Sequence, residues 1–127
     1  MKVCLVTGAH GYVGGAICEG LRRAGWQPRA LSRNPAAAEV RFQLGAEVPV
    51  EPLRGAAALI HCAYDFSPRD YLTARRVNGE GARRLFAAAR AAGVEQIMLV
   101  SSMSAFDGCR SNYGRIKMDL EALAREG

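Results

Sequence analysis

Thr7-Gly8-Ala9-His10-Gly11-Tyr12-Val13-Gly14 reads TGxxGxxG, and it stands between the apolar run Val3 to Val6 and a stretch that closes at Gly25. Before the turn, Met1 to Val6 holds no turn former. After it, Val13, Ile17 and Leu21 recur at helical spacing, so the order is strand, glycine turn, helix. Glycines at this spacing let the chain reverse sharply and bring backbone N–H groups close to a pyrophosphate, whose charge then lies at the positive end of the helix dipole. The turn is therefore expected to cradle a dinucleotide, through Gly8, His10, Gly11, Tyr12, Val13 and Gly14.

Working outward, strand one covers about 2 to 7 and the helix about 12 to 24, with Gly25 as its cap. Gln27 to Ser32 is a second strand, with Pro28 near its start. Arg33-Asn34-Pro35 ends it and opens a short helix over the alanine run. A third strand is expected at 46–50 and a strongly apolar fourth at Ala56 to Ala63. Ser67-Pro68 signals the start of a long helix that stops at Gly93. Ile97 to Ser101 is a fifth strand and Ser111 to Glu126 a last helix. Apolar strands alternating with helices argue an α/β fold with a parallel sheet covered on both faces. Right-handed crossovers then give a Rossmann-like, doubly wound sheet of five strands in the order 3-2-1-4-5.

The chain has 127 residues, the size of one domain. Half the residues are hydrophobic and 23% are charged, with no low-complexity tract, which argues a folded globule. No apolar stretch reaches membrane-spanning length and the first strand starts at once, so a cytoplasmic location without membrane association is expected. Cys4, Cys18, Cys62 and Cys109 are widely spaced, without the clustering of a metal site, so no metal is expected. The net charge of +5 comes from scattered arginines rather than a patch with a reader motif, which argues against nucleic acid. Fifteen of the seventeen basic residues are arginine, so Lys2 and Lys117 stand out.

Three places could carry chemistry. Ser32-Arg33 ends the second strand, where an acid would accept the ribose hydroxyls of NAD and an arginine would accommodate the 2′-phosphate of NADP; the absence of an acid favours NADP over NAD. Tyr113-Gly114-Arg115-Ile116-Lys117 puts a tyrosine and a lysine one helical turn apart on one face. A neighbouring ammonium favours a phenolate, which allows proton exchange with a substrate hydroxyl or carbonyl. Ser101-Ser102 lies at the carboxyl end of the fifth strand, where open parallel sheets bind ligands. Each also has an ordinary reading: a solvated arginine, a surface pair on an amphipathic helix, and hydroxyls satisfying a strand end.

Taken in order, TGAHGYVG, LIHCAYDF, VNGEGARRLFAAARAAGVEQIMLVSS and YGRIK followed by Glu121 resemble the extended short-chain dehydrogenase/reductase group, in its NAD-dependent epimerase/dehydratase branch, from residue 1 to about 122. The resemblance implies a catalytic Ser102, with Ser104 as alternative, an acid/base Tyr113 and a Lys117 that tunes the tyrosine and holds the nicotinamide ribose. It implies cofactor contacts at Cys62, Ala63, Tyr64, Asn78, Tyr113 and Lys117, with Asn78 also shaping the site. It also implies hydride transfer on a nucleotide sugar or another small carbonyl or alcohol compound. The later strands and the small substrate lobe of that group are not in the sequence, so the chain is expected to be the cofactor-binding part of a longer enzyme or a truncated relative. A non-catalytic NAD(P)-binding sensor or partner module is the alternative. The place of the sixth strand would be an open edge, compatible with a homo-oligomer.

Overall fold

The computed structural model describes every residue except Ala37, Met103, Ser104 and Gly127. Five strands form one parallel sheet: β1 (Val3–Thr7), β2 (Gln27–Ser32), β3 (Val40–Arg41), β4 (Ala58–His61) and β5 (Gln96–Leu99), in the spatial order β3-β2-β1-β4-β5. This is the expected Rossmann-like topology. Its central pair is in register from Cys4↔Ala58 to Thr7↔His61, so β1 and β4 end side by side.

Alternation along the strands assigns the two faces. Cys4, Val6, Ala58 and Ile60 turn toward α1 (Tyr12–Arg23) and pack with Cys18. Leu5, Leu31 and Leu59 turn the other way and meet Leu85 and Phe86 of α3 (Gly81–Ala91) and Ile116 and Leu120 of α4 (Asn112–Arg125). Both faces are thus covered by helices, as near-continuous apolar strands require. Among the described residues no helix is long and apolar enough to cross a membrane.

Local signals placed most ends well. Gly25 and Gly93 both follow helices with φ of +85° and +88°. Ser111 caps α4 by accepting the Gly114 N–H at 3.0 Å. The long helix, however, starts later than Ser67-Pro68: Asp70 is its cap, accepting the Thr73 N–H at 2.8 Å, because the Asp65 carboxylate instead draws the Ser67 N–H and hydroxyl into a tight turn. It runs as α2 (Tyr71–Ala74), a π-helical turn (Arg75–Glu80) and α3.

Two expected elements differ. The third strand is Val40–Arg41 rather than 46–50; Phe42 extends its pairing by donating to the Ser32 carbonyl at 2.8 Å. Gly45, with φ of +87°, then turns the chain away from the sheet and lies against Gly81, where an added Cβ would meet the Gly45 nitrogen at 2.7 Å. Residues 46–50 therefore cross over α3, and Val48 and Val50 pack on the core without sheet pairing. The expected short helix over the alanine run is absent among the described residues: Glu39 N–H donates to the Ala36 carbonyl at 3.0 Å and Ala38 adopts φ of +69°. Alanine's helix propensity is too weak to nucleate so short a piece against these tertiary restraints.

The glycine turn sets a sharp stability test. A Cβ at Gly14 would lie 2.0 Å from the Gly8 carbonyl oxygen, whereas one at Gly20 of the same helix would meet nothing within 4 Å. Gly14→Ala should lower the urea stability by about 1–3 kcal/mol, and Gly20→Ala should raise it by up to about 1 kcal/mol. Equal effects would show that close approach does not constrain the turn.

Candidate functional site

Gly8 leaves β1 with φ of +65°, its bare Cα facing the exit of β4 so closely that a Cβ would sit 3.1 Å from the Ala63 nitrogen. Gly11 N–H closes the turn on the Gly8 carbonyl at 3.0 Å and becomes the N-cap of α1. That cap has no side-chain hydrogen bond and the first turn has no acidic residue, so the positive end of α1 is left to an anion. A cleft of about 620 Å³ opens in front of it, within the range of small-molecule sites. The cleft gathers the turn from Gly8 to Gly14, Ser32 and Arg33 from the end of β2, Cys62, Ala63 and Tyr64 beyond β4, and Tyr113 and Lys117 of α4. With Phe42 to Leu44 beyond β3 and Val100 and Ser101 at the exit of β5, residues far apart in the chain thus share one wall system.

Beneath the turn lies a polar joint the sequence reading passed over. The Thr7 hydroxyl oxygen accepts the N–H groups of Cys62 and Ala63 at 3.0 and 3.1 Å and is 2.7 Å from His61 Nδ1. A hydroxyl has two acceptor sites and one proton, so with both sites filled it donates to Nδ1. His61 therefore carries its own proton on Nε2, which has no hydrogen-bond partner among the described residues, and its ring meets Phe86 edge-on at 5.6 Å. Burial, with the Lys117 charge nearby, pushes the His61 pKa down to about 3, so the ring is neutral. The only cues were Thr7 ahead of the glycine and His61 ahead of Cys62, both inside runs read as strand.

At the other end of the cleft, Tyr113 and Lys117 share one face of α4. Lys117 is 2% exposed; its ammonium donates to the Val100 carbonyl at 2.9 Å and lies 5.5 and 5.7 Å from the ring centres of Tyr64 and Tyr113. Burial lowers its pKa from the ordinary lysine value, opposed by Cys62 and Glu121. One turn further, Glu121 accepts the Ser101 hydroxyl at 2.5 Å. Lys117 and Glu121 thus pin consecutive residues at the exit of β5. Ser101 lies on the cleft wall, and Ser102 follows, half-buried, its carbonyl accepting the Ala105 N–H at 3.0 Å. Ser104, the alternative serine, lies outside the described residues. The position of Glu121 in the sequence indicates no partner; only packing shows which hydroxyl it holds.

Asn78 lies behind the cleft rather than on its surface. It is 1% exposed, its Oδ1 accepts the Asp65 N–H at 2.7 Å, and its Nδ2 donates to the Asp65 and Ala74 carbonyls at 2.9 and 3.1 Å. One amide thus fixes the segment carrying Tyr64 and Phe66, whose rings pack 4.8 and 5.3 Å from that of Tyr113. The π-helical turn around Asn78 gives it this reach.

The neutral His61 makes stability pH-dependent in a defined window. Its pKa in the fold lies below that of an unfolded histidine, so unfolding takes up a proton between about pH 6.5 and 3. The contribution of this group should be level above pH 6.5 and fall by about 1.4 kcal/mol per pH unit below it. Urea titrations at pH 7, 6 and 5 should show this slope, and His61→Gln should flatten it; an unchanged slope in that variant would assign the dependence elsewhere.

A sequence profile of the NAD dependent epimerase/dehydratase family matches residues 4–121. The ceramide reductase of Caulobacter vibrioides (strain NA1000 / CB15N) is 35% identical over 133 residues, an alignment that covers 97% of this chain and 42% of that protein. A short-chain dehydrogenase/reductase superfamily protein from Agrobacterium tumefaciens, solved with bound NAD, superposes with a TM-score of 0.79 at 28% identity, covering 99% of this chain and 46% of its own. MoeE5, solved with UDP-glucose and NAD, gives a TM-score of 0.79 at 31% identity, covering 98% and 48%. This chain spans just under half the length of each. With the glycine turn, the sheet order and a family match over nearly its full length in agreement, the chain belongs to the NAD dependent epimerase/dehydratase family.

Proposed function

We propose that the chain is the cofactor-binding part of an NAD(P)-dependent oxidoreductase or epimerase, with NADP preferred, whose acid/base chemistry is carried by Ser102, Tyr113 and Lys117. The observation that carries this reading is the placement of Lys117: a nearly fully buried ammonium, anchored on the Val100 carbonyl and set beside the ring of Tyr113 at the edge of the cleft. Burying a charge this far is costly unless its position is used. The bound nicotinamide would supply or accept the hydride.

The residues of the chain do the rest. The open N-terminus of α1 takes the pyrophosphate through backbone N–H groups, and Gly8 and Gly14 let it approach. Arg33, at the far end of the cleft, neutralises a 2′-phosphate. Tyr113 gives its phenolic proton to a carbonyl oxygen, or takes one from a hydroxyl, while the Lys117 ammonium stabilises the charge that develops on the phenol oxygen. Ser102, at the exit of β5, hydrogen-bonds the same substrate oxygen. The reacting compound would be a nucleotide sugar or another carbonyl or alcohol, classes represented by the UDP-glucose in the MoeE5 structure and by the name of the ceramide reductase.

Titration of the purified chain with NADPH and NADH, followed by nicotinamide fluorescence, tests the cofactor. Saturable binding with tighter NADPH is expected; tighter NADH would overturn the role of Arg33. Tyr113→Phe should lower turnover of nucleotide-sugar and ketone substrates by about 10²–10⁴-fold while leaving NADPH affinity within about twofold. Undiminished turnover would remove Tyr113 from the mechanism.

A further inference from the structure

Resting on the cofactor reading above, we propose that Glu39 is a specificity-determining residue that works against NADP, by holding a carboxylate on His10 at the end of the cleft where Arg33 favours it. The sequence shows no acid at the end of β2. The fold brings Glu39, seven residues beyond Ser32, onto His10, a residue of the cleft wall.

His10 belongs to the glycine turn and Glu39 to the loop between β2 and β3. Their side chains meet, His10 Nε2 lying 3.2 and 3.1 Å from the two carboxylate oxygens. The Glu39 carboxylate also accepts the Ala36 N–H at 3.0 Å, and its side chain is only 16% exposed although it belongs to a surface loop. The Ala36 N–H, with His10 second, holds the Glu39 pKa below the usual carboxylate range, so this is a fixed negative charge. The contact links the two segments that border the Ser32–Arg33 end of the cleft, and His10, Ser32 and Arg33 all line that cleft.

A 2′-phosphate placed beside Arg33 is a dianion, attracted by the guanidinium and repelled by any carboxylate within a Debye length. Glu39 both adds that repulsion and occupies His10, the cleft-lining imidazole that could otherwise donate to phosphate. NADH, with a plain ribose hydroxyl at this position, meets neither penalty. Asp65, a second carboxylate, lines the same cleft as Arg33, and its pKa is lowered chiefly by Ser67 with a smaller contribution from the Arg33 charge. The NADPH to NADH ratio thus reflects Arg33 and His10 set against Glu39 and Asp65, and Glu39 is the member that also withholds a donor.

The test is direct titration of wild type, Glu39→Gln, and Glu39→Gln with His10→Ala, using NADPH and NADH at low salt, each variant first shown to be folded by circular dichroism. Glu39→Gln is expected to tighten NADPH by about threefold or more, the scale of one exposed charge interaction, and to leave NADH within about twofold. High salt should shrink the gain, and the double variant should keep most of it, because a glutamine carbonyl still accepts from His10 and the gain comes from the lost charge. An unchanged NADPH to NADH ratio, or weaker NADPH binding, in folded Glu39→Gln would overturn the proposal while the cofactor reading stands. Failure of folded wild type to bind either dinucleotide would overturn both.

Discussion

The side-by-side exits of β1 and β4 govern the molecule. One hydroxyl, that of Thr7, takes two N–H groups from the chain leaving β4 and gives its proton to His61, while the bare Gly8 lets the same two segments touch. These contacts come from residues more than fifty positions apart. They decide where Cys62 to Tyr64 run, and so the width of the cleft floor. A threonine hydroxyl suits the joint because it is a donor and a double acceptor at once, and a neutral histidine suits it because a charged ring could not be desolvated there.

From that joint the site extends in two directions. Toward the glycine turn it offers backbone donors and a helix dipole, both fixed by close packing of Gly14 on Gly8. Toward α4 it offers Lys117, whose ammonium is buried beside the paired rings of Tyr64 and Tyr113 and bonded to the end of β5. Asn78 ties the second wall to the long helix, using a π-helical turn to bring its amide onto Asp65. Polar side chains buried for structural reasons thus hold the polar side chains presented to the cleft, a second layer that fixes the geometry of the first.

Much of this was legible because its signals are local. The glycine turn, the apolar strand runs, the caps at Gly25, Gly93 and Ser111, and the one-turn spacing of Tyr113 and Lys117 depend on neighbours within a few residues. The third strand was misplaced because 46–50 has strand-like composition, yet Gly45 packs on Gly81 and sends it over a helix, a contact 36 positions away that no local pattern records. The alanine run failed as a helix because Glu39 turns back on Ala36. Asn78 was read as shaping the site, but its partner, the Asp65 backbone, is set by the tertiary meeting of two loops and a helix.

The amino-acid sequence by itself determined the α/β class, the order of the strands and the residue types that line the cleft, because periodicity, glycine placement and crossover handedness act through short-range sterics. Tertiary structure alone decided the partners: Thr7 with His61, Glu121 with Ser101, Glu39 with His10, and the burial of Lys117. Each depends on a hydrogen bond or a desolvation that exists only once distant segments are brought within about 3 Å, and long-range contact of that kind leaves no periodic trace in the chain.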